Sequence, residues 1–272
     1  MPLLATLYLD WNNISTIEPG TFDGLFHLQS LSFGGNRVAK LAPDLFKDNK
    51  LTDFDGSDNR IEAIPSGVFT NHSSLTSLIL NGNRISMLGD AAFAGLPQLL
   101  WSLSMARNAI SEIELGALSD STSMQILDLS GNLLMTLEGT LKGLSNLNSL
   151  WVSGNRISEI TNSTLTSLTS LRDCWLDNNR IRKIESGAFK GMGNLNNFYL
   201  GNNDLEEMPL NELVGLFANI SVEKVNLEGN PWYCDCQMYE FAQWMKTNNM
   251  SEKFDVVCDG PEALNGTYLS DI

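Results

Sequence analysis

Trp151, Trp175 and Tyr199 recur at intervals of 24 residues. In a chain that repeats with that period, equivalent residues stand side by side on neighbouring strands, about 4.8 Å apart. Aromatic rings that point away from a core and are rimmed by polar groups compose a recognition patch rather than a catalytic one. Asp128, Asp173, Asp177 and Asn197 supply the rim and favour a partner presenting Lys or Arg, chiefly through faster encounter. A glycan stacking on the rings is the other ligand class. A purely structural row, stabilising one sheet surface, is the alternative to binding. Stronger chemistry is not encoded: no nucleophile–base pair, phosphate loop or paired-carboxylate cleft occurs, and His27 and His72 lie in repeats far from Cys174. In the acidic strip Asp53–Asp58, Asp53, Asp55 and Ser57 alternate onto one face. The spacing does not match a calcium loop, which needs Gly at its sixth position. No enzyme activity, metal or cofactor is expected.

The elements that position these residues are written in a ladder of asparagines: Asn12, Asn36, Asn59, Asn83, Asn108, Asn132, Asn155, Asn179, Asn203 and Asn230, about 24 residues apart. Each closes one phrase, shown by Leu75-x-x-Leu78-x-Leu80-x-x-Asn83 and Leu147-x-x-Leu150-x-Val152-x-x-Asn155. This period and phrase read as a leucine-rich-repeat solenoid. The fold class is α/β: a horseshoe with a concave parallel β-sheet, an irregular or short-helical convex side and a small C-terminal capping subdomain. Residues 1–228 form the solenoid of about ten repeats and 229–272 the cap. Within x-Leu-x-Leu-x the apolar residues point inward and the flanking ones outward. One repeat cannot bury its apolar side alone, whereas stacked repeats share a core and a sheet. The asparagine amide is placed to satisfy buried backbone groups where the strand turns inward. The fifth position of each phrase gives the middle row of the concave face: Tyr8, Ser32, Asp55, Ile79, Ser104, Asp128, Trp151, Trp175, Tyr199 and Asn226.

Ten residues after each asparagine a large apolar side chain recurs, at Phe22, Phe46, Phe69, Phe93, Leu118, Leu165, Phe189 and Leu213, as a spine under the convex face. Repeat six offers Lys142 at that place with Leu141 beside it, so its convex side should be irregular. In repeat three Gly56 replaces an inward strand residue, and neighbours must fill its space or leave a cavity. A net charge of −15 excludes nucleic acid, which needs clustered Lys and Arg, and fits a basic or neutral partner. No apolar run approaches the roughly 20 residues of a membrane span. The first repeat follows the N-terminus directly. Its strand, Thr6 to Leu9, should be covered by Tyr8 and Trp11, by a missing cap, or by self-association at the open edge.

The C-terminal stretch is the most specific. After Val225 and Leu227 comes Asn230-Pro231-Trp232-Tyr233-Cys234-Asp235-Cys236. Met238, Phe241, Ala242 and Met245 then fall on one face of a helix, with Trp244 beside them. Cys258-x-x-Pro261-x-x-Leu264-x-Gly266-x-x-Leu269 follows. Together these resemble the C-terminal cysteine-rich cap of animal extracellular leucine-rich-repeat proteins, and the whole build is similar to the variable lymphocyte receptors of jawless vertebrates and their chordate relatives. The resemblance implies a Cys234–Cys258 disulfide, with the partner of Cys236 expected beyond Ile272. It also implies an oxidising, extracellular or cell-surface location. A zinc site at Cys234, Cys236 and Cys258 lacks a fourth ligand. Cys174 takes an inward position and should stay a buried thiol. Asn13, Asn71, Asn162, Asn219, Asn249 and Asn265 are candidate N-glycosylation acceptors. The expected function is an immune receptor that binds a protein or glycan ligand, basic or microbial, on its concave face. A matrix or cell-adhesion protein is the alternative.

Overall fold

The structure is a computed structural model that describes residues 3–69, 72–90, 92–93, 100–207, 224–251 and 254–272. The chain forms two compact units, Met1–Leu134 with Gly139–Leu147, and Met135–Glu138 with Asn148–Ile272. In the first, three-residue strands follow one per repeat: β1 (Thr6–Tyr8), β2 (Ser30–Ser32), β3 (Asp53–Asp55), β4 (Ser77–Ile79), β6 (Ser102–Ser104) and β8 (Ile126–Asp128). They pair in sequence order, all parallel. A second short ladder, β5 (Met87–Leu88) on β7 (Glu112–Ile113), runs beside them. In the second unit β9 (Ser149–Trp151), β11 (Asp173–Trp175), β13 (Asn197–Tyr199) and β14 (Lys224–Asn226) pair in the same way, with β10 (Glu159–Ile160) on β12 (Lys183–Ile184).

The register follows the alternation of side chains. Leu31, Phe54, Leu78, Leu103 and Leu127 are partners in one row and are buried, as are Leu150, Cys174 and Phe198 in the other unit. The residue after each of these points outward, which gives two rows: Tyr8 to Asp128 in the first unit and Trp151 to Asn226 in the second. A one-residue slip would bury every aspartate of these rows, so the pattern pins the pairing.

The asparagines hold one turn to the next. Asn59 Oδ1 accepts from Val38 N–H at 2.9 Å, while its Nδ2 donates to Phe33 O of the preceding turn at 3.0 Å. Asn83, Asn132, Asn179 and Asn203 repeat this pattern. Each therefore supplies partners to backbone groups that the sharp bend leaves without strand neighbours. Asn12 differs: it is exposed and donates only to Leu9 O and Asp10 O of its own turn.

The spine is buried from Phe22 through Phe189, with Leu213 outside the described residues. Phe22, Phe46 and Phe69 stack at successive centroid distances of 5.9 Å. In repeat six Leu141 is buried and Lys142 exposed, so the helix-like turn has shifted by one residue. The space at Gly56 is filled. A Cβ there would stand 3.2 Å from Phe54 and Leu80, because Phe54 replaces the usual leucine and packs against Phe33, Phe46 and Phe69. Tyr8 and Trp11 do not fold down over the first repeat; both are exposed.

After Asn230, β15 (Trp232–Tyr233) pairs with β16 (Cys258–Gly260) and leads into helix α1 (Cys236–Thr247). Asp235 caps α1 by accepting from Gln237 N–H and Met238 N–H. Met238, Phe241, Ala242 and Met245 form its buried face, and Phe254 meets Phe241 edge-on at 5.4 Å. Trp232 is also buried, its indole N–H donating to Leu227 O at 3.0 Å. Among the described residues no helix is long and apolar enough to cross a membrane.

Candidate ligand-binding face

The second unit carries the aromatic row. Because β9, β11 and β13 are in register, Trp151 stacks on Trp175 with ring centroids 4.9 Å apart, and Trp175 on Tyr199 at 5.5 Å with planes 4° apart. The three rings are half-buried rather than fully exposed. Each covers a face of its neighbour, so the middle ring, Trp175, has both faces occupied and presents its edge. Cations and sugar rings prefer an aromatic face, whereas an edge offers apolar contact and a weakly positive rim.

Polar side chains are fixed next to this stack. Asp173, on the same strand face as Trp175, accepts from Ser149 Oγ at 3.2 Å and from Asn197 Nδ2. Asp177 accepts from Ser153 Oγ at 2.6 Å and from Asn178 Nδ2. All four donors are neutral. The ion pairs described in this unit, Arg182–Asp204 and Lys183–Glu185, involve other carboxylates. Both aspartates are therefore oriented by neutral partners and take part in neither of these ion pairs. Asp128 belongs to the first unit, where it accepts from Ser130 N–H at 2.9 Å and Ser104 Oγ at 3.4 Å.

Behind the stack, Cys174 points into the core. Burial pushes its thiol up to about 12, with smaller contributions from Asp173 and Asp177. A thiol held protonated in an apolar core is a packing group, not a nucleophile. Cys234 and Cys258 are joined by a disulfide with Cα atoms 5.6 Å apart, and Cys236 is free and exposed. His72 lies edge-on to Phe46 and Phe69 in the first unit. Asn13, Asn162, Asn249 and Asn265 are exposed and sit outside the sheet strands. Asn71 and Asn219 lie outside the described residues.

The row of the first unit was legible by register, but its form was not: Tyr8 and Trp11 stand over a groove in the sheet face. Their exposure depends on which surface Trp11 rests against, which the repeat phrase does not encode.

The profile described as Leucine rich repeat matches residues 2–55, 49–101, 73–134 and 175–231. Trophoblast glycoprotein of Macaca fascicularis is 25% identical over 276 residues, covering 99% of this chain and 52% of the relative. Tsukushi of Mus musculus is 30% identical over 152 residues, covering 54% of this chain and 42% of that one. The chain thus spans about half the length of these relatives or less. Among solved structures, a chain in the octameric complex of latrophilin 3, Unc5D and FLRT2 superposes with a TM-score of 0.75 at 22% identity, covering 99% of this chain and 89% of that one.

Proposed function

This chain belongs to the leucine-rich-repeat family and, like its relatives, is an extracellular or cell-surface protein; on that premise we propose that it is a non-catalytic module that binds a protein partner on the outward face of its sheet. The observation that carries the proposal is the Trp151–Trp175–Tyr199 stack flanked by Asp173, Asp177 and Asn197. Stacked rings are already immobile, so binding freezes little further side-chain entropy. A protein suits them better than a glycan, because the central ring offers an edge and the flanking carboxylates attract Lys or Arg. The family's binding proteins carry no catalytic machinery, and none is proposed here.

An adhesion or matrix role is favoured over an antigen receptor. The receptor reading rests on the resemblance of the whole build to variable lymphocyte receptors, whereas the relatives that the chain matches, among them Tsukushi, chondroadherin and keratocan, fit an adhesion or matrix role better. The FLRT2 leucine-rich-repeat domain forms an assembly with fragments of latrophilin 3 and Unc5D, and we assign this chain the same kind of work, contact with other proteins. Residues 229–272 are read as the piece that closes the solenoid, since Trp232 bonds to the last repeat through Leu227 O and α1, which follows it, has an apolar face that is buried.

The test begins with a panel of purified extracellular domains and measures affinity for any hit. Trp175→Ala should weaken binding by about 2 kcal/mol or more, roughly 30-fold. It should also lower stability by about 1–3 kcal/mol, because two aromatic contacts of about 0.5–1.5 kcal/mol each are lost. Met135→Ala, an exposed site in the same unit, is the control and should change neither. Loss of stability at 175 with affinity within twofold of wild type would make the stack structural and refute the reading.

A further inference from the structure

The first unit presents a second surface with different chemistry. Outward residues of β1 to β4 line a groove of about 420 Å³, within the range of small-ligand sites, roughly 300–1,000 Å³. Tyr8, Asp10, Trp11, Asp53, Asp55 and Ile79 form its chemically distinctive wall, and no Lys or Arg lines it. The ion pairs described in this unit, Lys47–Asp23 and Arg107–Asp58, use other carboxylates.

The aromatics here are not stacked on one another as in the second unit. Tyr8 is 69% exposed and Trp11 81% exposed. Yet Trp11 is positioned: its backbone adopts φ +55°, a left-handed conformation costly for a bulky residue, and its N–H donates to Gly34 O at 2.8 Å. The indole rests on Gly35, where a Cβ would come within 2.5 Å of ring atom Cε3. Only a bare backbone admits this contact. One side of the ring is thus set on the protein while most of its surface stays open to solvent.

The carboxylates are oriented by neutral donors. Asp10 accepts from Gly34 N–H at 2.8 Å and from Ser32 Oγ, Asp55 from Ser57 N–H at 2.8 Å, and Asp53 from Thr52 Oγ at 2.7 Å. Their negative charge is therefore uncompensated within the groove. They do not form a group able to hold a metal ion. What fits separated carboxylates beside an open indole is a flat organic cation, which lies on a ring while its N–H fork meets a carboxylate. Guanidinium has that shape and is weakly hydrated; ammonium is compact and strongly hydrated.

We propose that this groove of the first unit takes an arginine side chain from a basic segment of a protein partner. The proposal stands on other residues than the aromatic stack of the second unit, and the experiment separates the two. The peptide acetyl-Arg-Gly-Arg-amide is titrated into the whole chain while the indole N–H signals are followed by two-dimensional NMR, with the Trp11 signal assigned through Trp11→Phe. The matched peptide carrying citrulline keeps the shape and removes the charge. The Trp11 signal should move and saturate with the arginine peptide and stay still with citrulline. Asp55→Asn, which keeps an acceptor for Ser57 N–H, should weaken binding tenfold or more; Trp11→Ala, which carries no Trp11 signal, is read by isothermal titration calorimetry beside the wild type and should do the same. Asp23→Asn, an equal change of net charge outside the groove, should leave it within twofold, and so should Trp175→Ala. Equal weakening by Asp23→Asn and Asp55→Asn would reduce the effect to general attraction by an acidic protein. An unmoved Trp11 signal, or citrulline binding as well as arginine, would overturn the proposal outright.

Discussion

Replacing Asn83 by alanine removes four hydrogen bonds: Ile61 N–H to Oδ1 at 2.9 Å, and Nδ2 to Gly56 O, Leu80 O and Asn81 O at 3.0, 3.1 and 3.3 Å. The losses are unequal. Gly56 O keeps a donor in Asn59 Nδ2, Leu80 O in Asn108 Nδ2, and Asn81 O in Asp58 N–H. Ile61 N–H has no second acceptor among the described residues, and Ile61 is fully buried. One orphaned N–H costs about 1–3 kcal/mol and the three shared bonds about 0.5 kcal/mol each at most, so the expected loss is about 1–4.5 kcal/mol. Asn12→Ala, the exposed member of the ladder, should cost about 0.5 kcal/mol, because water replaces its two bonds. Asn83→Asp is the sharper control. It keeps an acceptor for Ile61 N–H but turns an oxygen toward three carbonyls, so at pH 7 it should be less stable than the alanine variant. That repulsion raises the folded-state pKa of the new carboxyl. The variant should therefore regain stability as pH falls through that raised value. Urea midpoints and m-values read all three. If Asn83→Ala costs no more than Asn12→Ala, or Asn83→Asp matches wild type at pH 7, the asparagine does not act as a two-way backbone partner.

Native protein without reductant should take up one equivalent of iodoacetamide at pH 8, at Cys236, since a thiol at about 12 is only about one part in ten thousand thiolate there. Urea should release a second equivalent, and mass mapping that finds Cys174 labelled in the native state would contradict its inward placement. Gly56→Leu restores the repeat phrase but should destabilise by about 1–3 kcal/mol in thermal unfolding, because Phe54 and Leu80 already occupy the space. Combining it with Phe54→Leu should recover part of the loss, and strictly additive effects would show that the two sites do not share a volume. Hydrogen bonds from Ser163 and then Thr161 hold the Glu138 carboxyl below its usual 4.5. A depressed pKa contributes stability above the unfolded value and loses it as pH falls through the folded one. The urea-midpoint difference between wild type and Glu138→Gln should accordingly be present at pH 7 and disappear in acid, and a difference independent of pH would assign it to packing.

Register was legible because two constraints agree at every turn. The asparagine marks where the chain bends, and the alternation around the buried leucine decides which residues face out. That is why the row from Trp151 to Asn226 could be read from spacing, and why Cys174 could be placed inside. What the phrase leaves open is everything its variable positions do to one another. The rings at 151, 175 and 199 close onto each other and become half-buried. Ser32, an outward residue by register, is nonetheless buried against Asp10. Phe54 fills the gap that Gly56 seems to open, because a larger ring one step away on the same core face can reach it. Trp11 stays out over Gly35 instead of turning inward. In each case the outcome depends on a side chain about 20 residues away or more, or on a rotamer, and neither is visible in a single repeat. The same property makes the outward rows suited to recognition. Core and asparagine positions carry the fold, so substitutions on the outward face alter surface chemistry at little cost to the stack of repeats. One unit has used that freedom to build a self-covered aromatic ridge and the other an acidic groove with an open indole. The two surfaces therefore differ in chemistry, and it is that difference on which the two binding proposals rest.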